Sequence, residues 1–461
     1  MKKYDAIIIG AGQAGVPLAK KIAKKNLQVA IIERKLIGGT CINYGCTPTK
    51  TMVASAKAMH IVQTASELGV DVNGFKINLP AVIERKNKIV KKSHDGAENG
   101  LKKIDNIDII FGEASFLSNK EITIQLRDGG EQTITADNIF INTGARPNIP
   151  DINGLTDIPY LTSTTIMELE ELPEHLLIVG GSYIALEFGQ MFKRFGSKVT
   201  VLERGADFFP KEDKDVADTI RQFLEKEELV IHTSASVQQF SLSGKTITAN
   251  LKIGEKVENI ICSHVLIASG RIPNTETLQL QNTNIVTQKG FIQVNEKLET
   301  AVPGVYALGD VNGGPAFTHI SYNDYIIVFG NLYEDKNEST ENRLVPYCMF
   351  TDPQFGKVGL NEKEAIAKGI NYKVAFLPME HVARGIETNE TTGFMKALID
   401  PDTKQILGAA VIGEQGGEMM SMLQLAMMGK TPYDVLRTAV FAHPLYAEAL
   451  NNLFLAFDDT K

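Results

Sequence analysis

The sequence predicts an α/β protein in which one βαβ unit occurs twice. The segments AIIIGAGQAGVPLAKKIAKKNLQVAIIER (Ala6–Arg34) and LLIVGGSYIALEFGQMFKRFGSKVTVLER (Leu176–Arg204) align without a gap. Each has the pattern of an apolar strand, a glycine turn, an amphipathic helix and a β-branched strand that ends in an acid. A chain of 461 residues has room for about three domains, so each unit is expected to belong to a domain of its own.

The first copy carries the Gly-x-Gly-x-x-Gly pattern at Gly10, Gly12 and Gly15. Such a turn lets the backbone approach a pyrophosphate that lies at a helix N-terminus. Glu33 ends the second strand, where its carboxylate can accept hydrogen bonds from a ribose diol. Because strand, turn, helix and acid all fit, we predict a dinucleotide site; the alternative is a glycine turn in an ordinary α/β unit.

The second copy departs from this pattern. Gly180 and Glu203 align with Gly10 and Glu33, but Ser182 stands in place of the second glycine and Ala185 in place of the third. Both replacements are small, so we predict a second dinucleotide site with weaker binding. Two units therefore imply two dinucleotides.

Two cysteines lie five positions apart in LIGGTCINYGCTPTKTM, at Cys41 and Cys46. In a regular helix their Cα atoms would lie about 9 Å apart, which is too far for a disulfide. We therefore expect an irregular turn between them, with left-handed backbone angles tolerated at Asn43 and Gly45. Pro48 suits the first position of a new helix. This places Cys46 at or just before a helix N-terminus, which favours a thiolate.

A zinc site and a structural disulfide are the alternatives for this pair. Zinc sites show four ligands in paired short spacings, whereas Cys262 and Cys348 are isolated in apolar, strand-like runs. We therefore assign no metal site. Four cysteines in 461 residues, without an export signal, are typical of a reducing cytoplasm rather than a disulfide-stabilised protein. The pair is predicted to be redox-active.

Composition excludes other classes of protein. The net charge of −8 and the lack of a basic cluster with interleaved aromatic residues argue against a nucleic-acid partner. The apolar runs are far shorter than the roughly 20 residues of a membrane helix, so we expect no membrane partner. Asp5 interrupts what would be the apolar core of an export signal. We expect a cytoplasmic protein.

Two dinucleotide units around a Cys-x4-Cys pair resemble the flavoprotein disulfide reductases over essentially the whole chain. GGTCINYGCTPTK resembles their redox-active segment, TGARP and SGRIPN resemble their domain-crossing segments, and TAVPGVYALGDV resembles their second FAD motif. FAHPLYAE resembles their catalytic His-Pro-x-x-x-Glu pair. GAGQAGVPLAK, CTPTKTMVASA and FTHISYNDY are most similar to the mercuric-reductase-like branch and its reactive-chlorine-resistance relatives.

The resemblance implies FAD and NAD(P)H as cofactors. It assigns cofactor binding to Gly10, Gly12, Gly15, Glu33, Gly39, Thr40, Lys50, Gly144, Gly180, Ser182, Glu203, Arg204, Gly270, Gly309 and Asp310. Tyr183 would cover the flavin until nicotinamide displaces it, and Lys50 would pair with Glu187 near flavin N5. Without the resemblance, Tyr183 would be interpreted as a core aromatic residue, and Lys50 and Glu187 as solvated surface charges.

The resemblance also implies a role for each thiol. Cys46 would be the flavin-side thiolate, and Cys41 the exchanging thiol that attacks substrate. His443, held by Glu448, would protonate the leaving thiolate; the alternative is a histidine that is buried and satisfied. Cys262 is left as a core thiol.

The implied domains are an FAD domain at 1–148 and 271–342, an NAD(P) domain at 149–270, and a C-terminal αβ dimerisation domain at 343–461. The expected assembly is a homodimer in which His443 serves the disulfide of the other subunit. The fold class is thus α/β, with two Rossmann-like domains and an αβ dimerisation domain.

Three functions stay open. The favoured one is reduction of a soft metal ion, Hg(II) or Cu(II), or of an oxidant-derived acceptor. The sequence has neither a Cys-x-x-Cys metal-binding segment nor vicinal cysteines, so we expect it to lack those devices of full mercuric reductases. The alternatives are a reductase of a small disulfide, such as glutathione disulfide or lipoamide, and an FAD-bearing redox sensor. His60, His319 and Cys348 have no assigned role, beyond the expectation that Cys348 is a core thiol.

Overall fold

The computed structural model describes the backbone of residues 1–459 and the side chains of residues 1–457. The strands are β1 Lys2–Ile9, β2 Val29–Glu33, β3 Ile107–Phe116, β4 Glu121–Leu126, β5 Glu131–Ile141, β6 Ala145–Pro147, β7 Leu161–Thr162, β8 His175–Val179, β9 Lys198–Leu202, β10 Val230–His232, β11 Ala235–Ser243, β12 Thr246–Ile253, β13 Lys256–Cys262, β14 His264–Ile267, β15 Arg271–Pro273, β16 Thr287–Gln288, β17 Phe291–Ile292, β18 Val305–Ala307, β19 Tyr347–Met349, β20 Gln354–Gly359, β21 Lys373–Pro378, β22 Phe394–Ile399 and β23 Ile406–Gly413.

The α-helices are α1 Gly15–Ala23, α2 Gly39–Asn43, α3 Cys46–Thr64, α4 Leu79–Lys102, α5 Tyr183–Phe195, α6 Lys214–Lys226, α7 Thr318–Tyr333, α8 Glu362–Ala367, α9 Ala383–Thr388, α10 Gly416–Met428, α11 Tyr433–Thr438 and α12 Ala449–Asp459. The predicted α/β class is confirmed. None of the helices in the described part of the chain combines the length and apolarity that crossing a membrane requires.

The chain divides into two compact units. The first consists of Met1–Thr51, Ala81–Asn148 and Gly270–Arg343. The second consists of Met52–Pro80, Ile149–Ser269 and the chain from Leu344 on. The three domains expected from the sequence stay a prediction.

A parallel sheet in the order β3-β2-β1-β5-β18 forms the centre of the first unit. Strand β4 joins β3 and β5 in antiparallel fashion. Along β1, Ile7 and Ile9 belong to one buried apolar cluster, while Ala6 and Ile8 belong to another. Because side chains alternate along a strand, a strand that is buried on both faces needs a continuous apolar run. This explains the AIII sequence.

The second unit contains the other copy of the repeat. Strands β10-β9-β8-β14-β7 form a parallel sheet, and β11-β12-β13 form an antiparallel one. A five-stranded antiparallel sheet, β19-β20-β23-β22-β21, lies in the C-terminal part of the chain. Met420 and Leu423 of α10 and Phe454 of α12 belong to the apolar core that includes Val411 of β23. The predicted strand-turn-helix-strand pattern is therefore present twice.

A buried lysine fixes the loop before α6. Lys396 on β22 is 1% exposed, and its Nζ lies 2.8 Å from Asp213 Oδ2, 2.7 Å from Asp215 Oδ2 and 3.1 Å from Glu362 Oε1. A buried charge is tolerated only when it is paired. Asp213 also accepts the backbone N–H of Glu362 at 3.1 Å. The segment that follows Glu203 is therefore anchored to the C-terminal sheet.

Three carboxylates crowd together elsewhere in the second unit. Oxygen atoms of Asp352, Glu390 and Glu414 all lie within 4.8 Å of one another. Lys57 Nζ lies 2.5 Å from Glu414 Oε2 and 3.4 Å from Asp352 Oδ1. Arg194 Nη1 lies 2.7 Å from Asp352 Oδ2. Burial, then the charges of Asp352 and Glu414, raise the pKa of Glu390 from its ordinary 4.5 to about 7.

This shift predicts a pH-dependent stability. Glu390 binds a proton in the folded protein up to about pH 7, but in the unfolded chain only up to its ordinary 4.5. Its contribution to stability is therefore fully present below pH 4.5 and is lost as the pH rises through 7. Between pH 5 and 8, we expect the urea midpoint of unfolding to decline less for Glu390→Gln than for the wild-type protein. The midpoint of the control, Glu387→Gln at an exposed position, should decline as much as that of the wild type. Parallel profiles for all three proteins would contradict this.

Candidate active site

The first glycine turn is shaped by close backbone packing. Gly10 has φ +106°, and a Cβ at this position would lie 2.3 Å from the Asn142 carbonyl oxygen. A Cβ at Gly15 would lie 2.2 Å from the Gly10 carbonyl oxygen. A Cβ at Gly12 would lie 2.9 Å from Asn142 Oδ1. The turn therefore brings bare backbone to the carboxyl edge of the sheet, as a pyrophosphate site requires.

Two polar side chains hold this turn. Glu33 Oε2 accepts the N–H of Ala11 at 3.0 Å, and Glu33 Oε1 accepts the N–H of Lys35 at 2.7 Å. Asn142 Oδ1 accepts the N–H of Gly15 at 3.0 Å, and Asn142 Nδ2 donates to the Leu308 carbonyl at 2.8 Å. Sequence reasoning missed Asn142, although it directly precedes the TGARP segment.

The second copy repeats these contacts. Gly180 has φ +115°, and a Cβ there would lie 2.4 Å from the Ala268 carbonyl oxygen. Glu203 Oε2 accepts the N–H of Gly181 at 3.0 Å, and Glu203 Oε1 accepts the N–H of Gly205 at 2.7 Å. The duplication thus extends from sequence to individual hydrogen bonds. It favours the same kind of ligand at both turns.

Helix α5 follows the second turn. Ser182 is exposed and has the extended backbone of an N-cap residue, and Tyr183 begins the helix. Glu187, one turn further, is 3% exposed and accepts the N–H of Phe350 at 2.8 Å. Arg204 is exposed after β9. The ion pair between Lys50 and Glu187 stays a prediction.

The segment after β18 forms a short 3₁₀ helix, Gly309–Asn312. The N–H of Gly309 donates to Asp324 Oδ2 at 2.8 Å, and the fully buried Asp324 pairs with Arg343 at 2.6 Å. Arg271 Nε lies 3.7 Å from Asp310 Oδ2. Burial raises the pKa of the Asp310 carboxyl, and Arg271 opposes that rise.

The two crossing segments pair with each other. Strands β6 and β15 are antiparallel, with Arg146 opposite Ile272. Gly144 has φ +69° and Gly270 has φ +103°. The N–H of Asn148 donates to the Gly270 carbonyl at 2.9 Å. The sequence resemblance identified both crossing segments but gave no sign of their pairing.

The cysteine segment corrects one expectation. Cys41 lies in α2, and α3 begins at Cys46 itself, so Pro48 is the third residue of the helix rather than the first. Positive φ occurs at Gly38 and Gly39, ahead of the pair, and the irregular turn expected between the cysteines lies at Tyr44 and Gly45. Gly45 is needed for close approach, since a Cβ there would lie 2.9 Å from the Thr40 carbonyl oxygen.

The predicted helix N-terminus at Cys46 is confirmed, and the two thiols differ in electrostatics. A hydrogen bond with Cys46, followed by burial and the Cys46 charge, raises the pKa of Cys41. Cys46 lies 3.3 Å, Sγ to Oγ1, from Thr318. Lys50 lies one turn along α3 from Cys46. The arrangement favours a thiolate at Cys46 and a protonated Cys41, as expected for the roles predicted from the sequence, which stay predictions.

The predicted acid and its partner are in contact. His443 Nδ1 lies 2.9 Å from Glu448 Oε2, and the His443 side chain is 68% exposed. This excludes the alternative of a buried, satisfied histidine.

Burial, followed by the charge of Arg194, lowers the pKa of His60. The His319 ring stacks on Phe317.

The other two cysteines lie in strands, as expected. Cys262 ends β13 and is buried, which raises its pKa to about 12. Cys348 lies in β19 and is half-buried. Neither belongs to a cluster of metal-binding type within residues 1–457.

The residues of the first unit fit a dinucleotide cofactor. The turn at Gly10, the carboxylate of Glu33 and the hydroxyl of Thr143 lie at the carboxyl ends of β1, β2 and β5. Within the described chain, Thr143 Oγ1 is buried and has no hydrogen-bond partner. Open parallel sheets bind ligands at this edge, and an orphaned hydroxyl there suits a polar ligand.

Comparison with known proteins agrees with this geometry. Residues 4–324 match the family described as pyridine nucleotide-disulphide oxidoreductase, and residues 345–454 match its dimerisation domain. A probable pyridine nucleotide-disulfide oxidoreductase, RclA of Escherichia coli, is 38% identical over 98% of this chain and 99% of its own length. A mercuric reductase of Staphylococcus aureus is 34% identical over 99% of this chain and 82% of its own length.

A solved structure is also similar. The Cu(II) complex of the HOCl-induced flavoprotein disulfide reductase RclA from Escherichia coli superposes with a TM-score of 0.90 at 37% identity, over 99% of both chains. The predicted resemblance, fold class and cofactors, FAD and NAD(P)H, are thereby confirmed. The chain is a member of the pyridine nucleotide-disulphide oxidoreductase family, an NAD(P)H-dependent flavoenzyme related to the mercuric reductases.

Proposed function

We propose that this enzyme passes electrons from NAD(P)H to the Cys41–Cys46 disulfide and on to a soft metal ion, Hg(II) or Cu(II), or to an oxidant-derived acceptor. The observation that carries this proposal is the hydrogen-bonded pair of thiols formed by Cys41 of α2 and Cys46 at the start of α3. Thiolates are preferred ligands of soft metals. The RclA structure with Cu(II) and the mercuric reductases support it by similarity.

When bound, FAD would supply the redox chemistry that connects NAD(P)H to the disulfide. We assign FAD to the first glycine turn and the segment around Asp310, and NAD(P)H to the second turn. The proposed cofactor contacts are Gly10, Gly12, Gly15, Glu33, Gly39, Thr40, Lys50, Gly144, Gly180, Ser182, Glu203, Arg204, Gly270, Gly309 and Asp310. Tyr183 would shield the nicotinamide position, and Glu187 would pair with Lys50.

Reduction of a small disulfide is the second candidate. The contact between His443 and Glu448, at 2.9 Å, favours it, because a thiolate leaving group needs a proton donor. The carboxylate fixes the orientation of the imidazole. An FAD-bearing sensor is the third candidate, and steady-state oxidation of NADH by any acceptor would exclude it.

The assembly is proposed to be a homodimer. The exposed imidazole of His443 lies within the segment that matches the dimerisation domain. The same segment exposes apolar side chains, with Val440 100%, Leu425 67% and Met428 64% exposed. Such a surface is suited to burial against a second copy. His443 of one subunit would then serve the disulfide of the other.

An acceptor screen tests the proposed function. Anaerobic NADH oxidation is followed with Hg(II), Cu(II), glutathione disulfide, lipoamide and hypochlorite-derived oxidants, with the Cys41→Ser/Cys46→Ser protein as control. We expect turnover with metal or oxidant acceptors, weak turnover with disulfides, and none in the double variant. Normal rates with glutathione disulfide or lipoamide and no response to thiophilic metals would overturn the proposal.

NADH is expected to be preferred over NADPH. We propose that Glu203 binds a ribose diol and repels a 2′-phosphate, although Arg204 next to it could pair with that phosphate. Glu203→Gln keeps the side-chain length and one acceptor oxygen, for the Gly181 N–H, but removes the charge and the acceptor of the Gly205 N–H. The substitution should lower the ratio of kcat/KM for NADH to kcat/KM for NADPH by about tenfold, equivalent to about 1.4 kcal/mol.

The exposed Glu258→Gln serves as the control for this ratio. Wild-type kcat/KM for NADPH equal to or above that for NADH would refute the assignment.

A further inference from the structure

Thr318 contacts the redox pair from a distant part of the sequence. It is the first residue of α7, and its Oγ1 lies 3.3 Å from Cys46 Sγ although 272 positions separate the two residues. The same hydroxyl forms a hydrogen bond with the side chain of Cys41, and this bond opposes the rise in the pKa of Cys41. A threonine hydroxyl carries one proton, so it can donate to one sulfur at a time. The sulfur that receives this bond is favoured as the anion.

The position of this hydroxyl is fixed by the fold. Phe317 is extended, with φ −126° and ψ 147°, and its ring stacks on His319 with centroids 5.3 Å apart. Further along α7, the buried Asp324 accepts the N–H of Gly309 at 2.8 Å and pairs with Arg343. Helix α7 is thus attached to the core of its unit, and Thr318 is presented from a rigid element.

The surroundings distinguish the two possible acceptors. Cys46 is the first residue of α3, where the helix dipole favours an anion. Cys41 is half-buried in α2 and lies beside Cys46, which disfavours a second negative charge there.

We propose that Thr318 is a positioning residue whose hydroxyl donates its hydrogen bond to the Cys46 thiolate and thereby keeps the negative charge on Cys46 and the proton on Cys41. The inference rests on the roles proposed above for the two cysteines. Reduction by NAD(P)H delivers a hydride, which is two electrons and one proton. The S–S bond breaks, Cys46 keeps the charge, and Cys41 takes the proton. Thr318 forms no covalent bond and keeps its own proton.

The test measures the pH dependence of alkylation at each cysteine separately. Holoenzyme is reduced anaerobically with NADH and alkylated with iodoacetamide over a range of pH, and the rate at each cysteine is read by mass spectrometry. A hydrogen bond to a charged group is strong enough to move a pKa by about one to two units. Thr318→Val should therefore raise the alkylation midpoint of Cys46 by about that amount, and Thr318→Ser should restore it.

Thr51→Val is the matched control, because the Thr51 hydroxyl bonds the Thr47 carbonyl within α3; its midpoints should equal those of wild type. An unchanged Cys46 midpoint in Thr318→Val, or a shift confined to Cys41, overturns the inference alone. A wild-type enzyme in which Cys41 has the lower midpoint overturns the proposed roles of the cysteines together with the inference.

Discussion

Cys46→Ser is expected to lower turnover with every acceptor by at least about 10³-fold, as loss of a reacting nucleophile commonly does. It is also expected to abolish the thiolate-to-flavin charge-transfer band, a long-wavelength absorbance that we expect in the two-electron-reduced enzyme. That absorbance requires a thiolate beside the flavin. Cys46 begins α3, while the pKa of Cys41 is raised by its hydrogen bond with Cys46 and by burial. The anion is therefore expected at Cys46.

Cys41→Ser should behave differently. It leaves Cys46 at its helix N-terminus without a disulfide partner, so the absorbance should appear before any reduction. Anaerobic titration with NADH, followed by visible spectroscopy, distinguishes the two variants. Cys262→Ser is the control, since burial raises the pKa of that thiol to about 12 and leaves it inert. If Cys41→Ser lacks the absorbance and Cys46→Ser shows it, the roles of the two cysteines are reversed.

Local sequence was sufficient to predict the two glycine turns. Gly10 and Glu33 lie within one strand-turn-helix-strand segment, so their spacing alone fixes which groups meet. Contacts of this kind follow from the geometry of a single βαβ unit. The contact between His443 and Glu448, five positions apart, was instead implied by the family resemblance.

Contacts between distant segments could not be predicted in this way. Thr318 reaches Cys46 across 272 positions, and Asn142 reaches Gly15 across 127. Both depend on the order of strands in the sheet, which a single sequence does not specify. The carboxylates around Glu390 were missed for the same reason, because each comes from a different loop.

The start of α3 was placed two residues late for a different reason. A proline is compatible with any position in the first turn, because those N–H groups have no intrahelical acceptor. Pro48 therefore marks the first turn of the helix and not its first residue. The correction adds Cys46 and Thr47 to the helix and brings the Cys46 side chain directly to its N-terminus.

The effect of His443→Ala on the turnover rate depends on which acceptor the enzyme reduces. If disulfides are reduced, His443 must give a proton to the leaving thiolate in every turnover, and His443→Ala should lose on the order of 10² to 10⁴ in rate with them. If a metal ion is reduced, no thiol leaves, and the ion is held by Cys41 and Cys46. The same substitution should then cost little with Hg(II) or Cu(II).

Glu448→Gln refines this comparison, because it keeps a hydrogen-bond acceptor 2.9 Å from His443 Nδ1 but removes the carboxylate charge beside the ring. It should lower the disulfide rate less than His443→Ala and leave the metal rate unchanged. His381→Ala, another exposed histidine, is the control. Steady-state kcat values with lipoamide and with Hg(II), measured for all four proteins, separate the two functions. An equal loss with both acceptors in His443→Ala would show that the histidine supports the fold or the dimer rather than proton transfer, since only the disulfide reaction has a leaving thiolate to protonate.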